Sequence, residues 1–166
     1  MSETWFISDT HFGHANILEY ERKARPFENL SEMHEAIIER WNNVVHKFDK
    51  VFHLGDFCFG RDNVSIAARL NGQKRLIMGN HDVYSAAEYL TYFHSIHGVM
   101  YWNKCVLSHI PLHTSMMDTR TLVNIHGHLH SKTMNDERYF NVSCERNNLT
   151  PINADEIWRK INGNRG

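Results

Sequence analysis

The stretch Trp5-Phe6-Ile7-Ser8-Asp9-Thr10-His11 passes abruptly from apolar to polar. A short apolar run that stops at an aspartate is the pattern of a buried strand reaching the edge of its sheet. The same change recurs downstream. Val51-Phe52-His53-Leu54 runs into Gly55-Asp56, and Lys74 to Met78 runs into Gly79-Asn80-His81-Asp82. After Ser31, Met33, Ile37, Trp41, Val44 and Phe48 recur at spacings of three and four, which predicts a long helix with one apolar face. Val64 to Leu70 predicts a short helix closed by Asn71-Gly72. The first half therefore reads β-α-β-α-β.

The second half reads mostly as strands. Ile96 to Trp102 and Lys104 to Leu107 flank a tight turn near Asn103, and Thr121 to Ile125 and Tyr139 to Ser143 add two more. A last helix starts near Asn153, where Asn153 and Glu156 have capping-box spacing. Together these elements predict a layered α/β protein whose sheets pack on each other with helices outside.

Composition narrows the function classes. The 166 residues carry a net charge of −1, so there is no broad basic surface for long nucleic acid. No stretch approaches the roughly 20 apolar residues that span a bilayer. Met1 to Asp9 lacks the cationic start and apolar run of a secretory signal. Cys58, Cys105 and Cys144 form neither a disulfide framework nor a C-x-x-C zinc pattern, so a reducing cytoplasm is expected, with Cys58 and Cys144 as buried thiols. No linker divides the chain, and one domain spanning 1–166 is expected. The unusual count is 13 histidines, spread from His11 to His130 without a run.

Polar clusters follow the apolar runs at Asp9-Thr10-His11, Gly55-Asp56, Gly79-Asn80-His81-Asp82, Ser108-His109 and His126-Gly127-His128-Leu129-His130. In open α/β sheets, ligands gather outside the carboxyl ends of strands. Imidazole and carboxylate donors suit transition metals, and a carboxylate can bridge two of them. Each cluster alone has a plain reading. Asp9 and Asp82 could be helix caps, and the Gly-Asp and Gly-Asn pairs could be turns. On a strand, alternating His128 and His130 would point to the same side. Five such clusters in order, each after a strand, are hard to attribute to chance.

The set Asp9-x-His11, Gly55-Asp56, Gly79-Asn80-His81-Asp82, Ser108-His109 and Gly127-His128-x-His130 resembles the calcineurin-like metallophosphoesterases, most of all their small bacterial and phage members. The resemblance implies a four-layer α-β-β-α sandwich with a binuclear metal site at the strand ends. It implies a first divalent ion on Asp9, His11, Asp56 and His130, and a second on Asp56, Asn80, His109 and His128. Manganese is the foremost candidate, with iron, nickel or zinc also compatible with such donors. Two divalent ions against only two aspartates leave a surplus of positive charge, suited to a bridging hydroxide that attacks a phosphate ester. His81 is the expected acid for the leaving oxygen. Asp82 either orients His81 or caps a helix.

Phe59, Gly60, Met78 and Asp82 depart from the phosphoprotein phosphatase branch, whose phosphate-binding arginines are missing here. With the fifth motif close to residue 166, no capping domain of the kind found in the nuclease relatives is expected. His14, Arg22, Arg25 and His126 are candidate substrate contacts, the two arginines lying beside Tyr20 and Phe27; a solvated helix face is the alternative for that segment. The expected activity is hydrolysis of a small phosphate ester. A nucleotide-like diester is favoured because His81 offers an acid for a poor alkoxide leaving group. A phosphomonoesterase, a non-catalytic scaffold on the same fold and an amide-cleaving metallohydrolase are the alternatives. Monomer and homodimer are both compatible with the sequence.

Overall fold

The structure, a computed structural model, describes residues 2–163. Strand β1 (Thr4–Ile7) is followed by a one-turn helix α1 (Ile17–Tyr20), the long α2 (Leu30–Val44) and β2 (Lys50–His53). A 3-10 helix (Arg61–Arg69) leads to β3 (Gln73–Ile77), α3 (Ala86–Leu90) and β4 (Ser95–His97). Then come β5 (Met100–Trp102), β6 (Cys105–Leu107), a 3-10 turn (Thr114–Met116), β7 (Val123–His126) and β8 (Tyr139–Asn141). A 3-10 turn (Cys144–Arg146), β9 (Ile152–Asn153) and α4 (Ala154–Gly163) complete the described chain.

The strands form two sheets, ordered β4-β3-β2-β1-β9 and β5-β6-β7-β8. β1 to β4 run parallel in the first, and β6 to β8 run parallel in the second. The side-chain alternation of a strand explains the layering. In β1, Ile7 joins a core shared with Met33, Ile37 and Trp41 of α2, while Phe6 faces the other way. Phe6 packs with Phe52, Ile77, Leu107, Val123 and Ile125 in a second core between the sheets. Asn124, between Val123 and Ile125 in β7, points to the outer face of the second sheet and is buried there. There the Leu112 amide donates to Asn124 Oδ1, and the Tyr139 hydroxyl donates to the Leu112 carbonyl.

Three expectations are corrected. Phe48 does not extend the α2 face. The helix ends at Val44, and Phe48 is 70% exposed beyond it. The predicted run Ile96 to Trp102 is two strands in different sheets: β4 pairs with β3, and β5 pairs with β6. Alternation alone cannot reveal such a switch of sheet. Asn153 receives the Asp155 amide, but its own side-chain amide turns to Glu3 rather than completing a box with Glu156.

The two sheets are stitched at one end. Ser8, just past β1, forms a parallel bridge with Ser143. Its amide donates to the Val142 carbonyl, and its carbonyl accepts from the Cys144 amide. The exits of β1, β2, β3, β6 and β7 carry the five polar clusters. The three cysteines are buried. No helix among the described residues is long and apolar enough to cross a membrane.

Candidate metal centre

The chain turns sharply where each strand gives way to its polar cluster. Asp9, His11, Asp56, His128 and His130 all have left-handed backbone, with φ between 50° and 68°. Asp and His tolerate this region better than most residues, yet it is uncommon and clusters at functional sites. The turns are latched by backbone bonds: the Asp9 amide donates to the Gly55 carbonyl, the His11 amide to the Asp56 carbonyl, and the Gly127 amide to the His109 carbonyl. Two glycines are required by the closeness of the loops. A Cβ at Gly127 would stand 2.6 Å from Asp9 Oδ2, and one at Gly79 would stand 2.5 Å from the Asp56 amide nitrogen.

Two groups of donors result. Asp9, His11 and His130 form one, and Asp56, His109 and His128 the other, with the donor atoms of each within 4.8 Å of one another. Asn80 joins the second group, its Oδ1 lying 3.1 Å from His109 Nε2. Asp56 Oδ2 lies between the groups, 3.2 Å from His109 Nε2 and 3.6 Å from His11 Nε2. His11 Nε2 is buried without a hydrogen-bond partner and lies 3.7 Å from Asp9 Oδ1. Buried polar atoms are nearly always paired. A cation between His11 and the two aspartates accounts for this one, so the donor set fits divalent metals.

The supporting bonds fix which atoms face inward. His109 Nδ1 donates to the Leu54 carbonyl at 2.7 Å, and His130 Nδ1 to Glu145 Oε1 at 3.1 Å, leaving both Nε2 atoms free as ligands. Asp9 Oδ2 accepts from the Ser8 hydroxyl, the Ser143 hydroxyl and the His128 amide, so Oδ1 faces His11 and His130. Burial pushes the Asp9 and Asp56 carboxyls up. The nearby His11 imidazole together with the His109 and His130 charges outweighs burial at Asp9, and the His109 bond outweighs it at Asp56, so both are held below the usual range. Burial pushes His109 and His130 down, but their carboxylate partners raise both above the ordinary imidazole value. The pocket thus attracts positive charge before any metal enters.

His81 stands at the mouth. Its side chain is 44% exposed, with Nε2 4.0 Å from Asp56 Oδ2. Its backbone amide donates to Asp56 Oδ1, and its ring lies 4.7 Å from that of Phe59. Phe59 also stacks on His14 at 4.0 Å between centroids. His14 is pushed down to about 4, first by burial and then by the His11 and His81 charges, so it is neutral at pH 7.

Other expected site residues are relocated. Asp82 does not orient the His81 ring, and α3 begins only at Ala86, capped by Ser85. The Asp82 carboxylate instead accepts the amides of Asp56, Phe57 and Gly79, tying the β2 and β3 exits together. Arg25 is fully buried and cannot meet a substrate. Its hydrogen-bonding capacity is consumed by Glu145, the Asp9 and Thr10 carbonyls and Met33 Sδ. Arg22 is solvent-exposed and pairs with Glu19. His126 is buried as the last residue of β7, edge-on to Tyr139, and makes no phosphate contact site at the mouth. His128 and His130 lie past β7, in left-handed turns rather than on a strand, and serve different groups. Glu145 was absent from the expected set. Only its place two residues after Ser143, where the sheets are stitched, singles it out.

Two Asp/His groups at the carboxyl ends of parallel strands, with Asp56 Oδ2 lying between them, are an arrangement that could hold two metal ions for hydrolysis. The calcineurin-like phosphoesterase family model matches residues 3–166, and the chain belongs to that family of metal-dependent phosphoester hydrolases. Uncharacterized protein MJ1445 of Methanocaldococcus jannaschii is 34% identical over 97% of this chain and 92% of its own. Gene 66 protein of Mycobacterium phage D29 is 30% identical over 98% and 97%. Among solved structures, AQ665 of Aquifex aeolicus superposes with a TM-score of 0.75 at 27% identity, covering 96% of this chain and all of its own. A chain described as a novel archaeal phosphodiesterase shares the fold, with a TM-score of 0.50 at 17% identity over 85% and 82%.

Proposed function

We propose that the chain is a cytoplasmic phosphodiesterase that takes a small, nucleotide-like ester and works with two divalent ions, manganese foremost. One observation carries the reading: Asp56 Oδ2 lies between the two donor groups, 3.6 Å from His11 Nε2 and 3.2 Å from His109 Nε2, and the half-exposed His81 ring stands 4.0 Å from that oxygen. Asp9, His11, Asp56 and His130 would hold one ion, and Asp56, Asn80, His109 and His128 the other. Bound there, such ions supply Lewis acidity to the phosphoryl oxygens and a water acidified to act near neutral pH.

The protein's own groups do the rest. The Leu54 carbonyl and Glu145 keep protons on Nδ1 of His109 and His130, presenting both Nε2 lone pairs inward. His81 holds a proton at Nε2 for the departing oxygen, in reach of the mouth and braced by Phe59. The stacked His14 and Phe59 rings form an aromatic wall beside it, suited to the organic part of an ester. Arg25 and Glu145 cancel each other's charge in the interior, so Asp9 and Asp56 alone offset the ions, and the site keeps its affinity for phosphate.

Turnover of bis-p-nitrophenyl phosphate, p-nitrophenyl phosphate and cyclic nucleotides with added manganese tests the reading. Diester cleavage that stops on chelation is expected. Hydrolysis of monoesters alone would replace the diesterase with a phosphatase, and no hydrolysis of either would leave a non-catalytic scaffold.

A further inference from the structure

Arg25 and Glu145 lie 120 positions apart and are both fully buried. Their chemistry converges on a single oxygen. Glu145 Oε1 accepts from Arg25 Nε at 2.7 Å, from an Arg25 terminal nitrogen at 2.6 Å and from His130 Nδ1 at 3.1 Å. Glu145 Oε2 is buried and has no partner among the described residues, so the whole compensation of this carboxylate passes through Oε1. The other face of the guanidinium reaches the main chain that carries the first ligands. It donates to the Asp9 carbonyl at 2.5 Å and to the Thr10 carbonyl at 3.1 Å. These carbonyls flank the left-handed turns at Asp9 and His11.

We infer that Arg25 and Glu145 are a buried positioning couple for one half of the metal centre, aiming His130 and the Asp9–His11 turn at the same ion. The inference rests on the two-ion reading above. Glu145 selects the His130 tautomer and ring angle, as an outer carboxylate does for a metal-binding histidine. Arg25 holds that carboxylate by two short bonds and ties the β1 exit to the Cys144–Arg146 turn across the seam between the sheets. Neither residue touches the Asp56–His109–His128 group, whose histidine is oriented by the Leu54 carbonyl. The couple therefore acts on one ion and not the other. A buried ion pair with no reach to solvent is costly to desolvate and weak as a source of stability, so a positioning role explains it better than simple cohesion.

The test is manganese titration of the metal-free full-length chain by isothermal titration calorimetry, with bound metal counted after dialysis. Wild type is expected to bind two ions. Glu145→Gln is expected to bind one as wild type does and the other about 10- to 100-fold more weakly. Because that change strands Arg25, the double variant Arg25→Met, Glu145→Met removes both charges together, and the same selective loss is expected. Two ions bound with unaltered affinity by either folded variant would overturn the couple. A measurement on the unaltered protein needs no variant to fold: at alkaline pH, nitrogen-15 imidazole spectra of the metal-free chain should show the neutral His130 ring carrying its proton on Nδ1, and the neutral Nε2–H tautomer would refute the assignment. If wild type itself takes up no manganese, the two-ion reading falls. If wild type binds two and the variants match it, only the couple does.

Discussion

The two halves of the centre are built by different means. Around Asp9, His11 and His130, long-range side chains do the holding: the Ser8 and Ser143 hydroxyls on Asp9, Glu145 on His130, and Arg25 behind both. Around Asp56 and His109 the holding is mostly by main-chain groups: the His81 amide on Asp56, the Leu54 carbonyl on His109, and three amides gathered by the one side chain involved, the Asp82 carboxylate. The reason is where each half sits. Both halves take donors from the two sheets, but the first depends on the seam at Ser8 and Ser143, where backbones meet at one bridge, whereas the second takes Asp56 and Asn80 from the β2 and β3 exits, which nearly touch. The first half is thus open to change by side-chain substitution, while the second is tied to the fold itself.

The largest expected effect removes what the halves share. Asp56→Asn should reduce diester turnover to background and lower bound manganese at both positions, checked by elemental analysis. An enzyme with both ions retained and full activity would show that the halves are independent. His81→Ala should spare both halves: kcat falls about 10²- to 10⁴-fold while metal content stays at wild type. The loss should be greater for an alkyl than for a p-nitrophenyl leaving group, since the latter needs less protonation.

Asp82→Ala probes the main-chain half. Three amides lose their acceptor, at about 1 kcal/mol or more each. The melting temperature should fall by roughly 6–12 °C, read by circular dichroism. A fall no larger than that of the Arg25→Met, Glu145→Met pair would erase the contrast between the halves.

The smallest effect comes from the opposite end of the first sheet. Buried Asp49 accepts from the Glu3 and His46 amides and from Trp5 Nε1. Burial pushes its carboxyl up, but these bonds outweigh it and hold it below the usual range. A depressed folded-state value adds stability that is present above the ordinary carboxylate value, about 3.9, and is lost as pH falls through the folded one. The stability gap between wild type and Asp49→Asn should therefore narrow below about pH 4 in urea melts, with metal binding unchanged.

Much of the centre was legible because metal chemistry restricts the donor types and the chain delivers them in short clusters after apolar runs. Asp9, His11, Asp56, Asn80, His109, His128 and His130 could each be singled out from their immediate neighbours. Arg25, Glu145 and Asp82 could not be placed that way. Each works through partners distant in sequence, and a buried arginine looks like a solvated one in a segment rich in charge. His128 and His130 show the same limit: their i, i+2 spacing suggested one shared side, but successive left-handed turns send them to different groups.

By itself the sequence determined the layered α/β architecture, the donor atoms and the order in which strands present them, because periodicity and ligand chemistry are local properties. Only the tertiary structure decided which candidate donors come together, which carboxylate bonds which imidazole, and that Arg25 faces inward. Those outcomes depend on two sheets meeting at Ser8 and Ser143, a contact across 135 positions that no local pattern encodes.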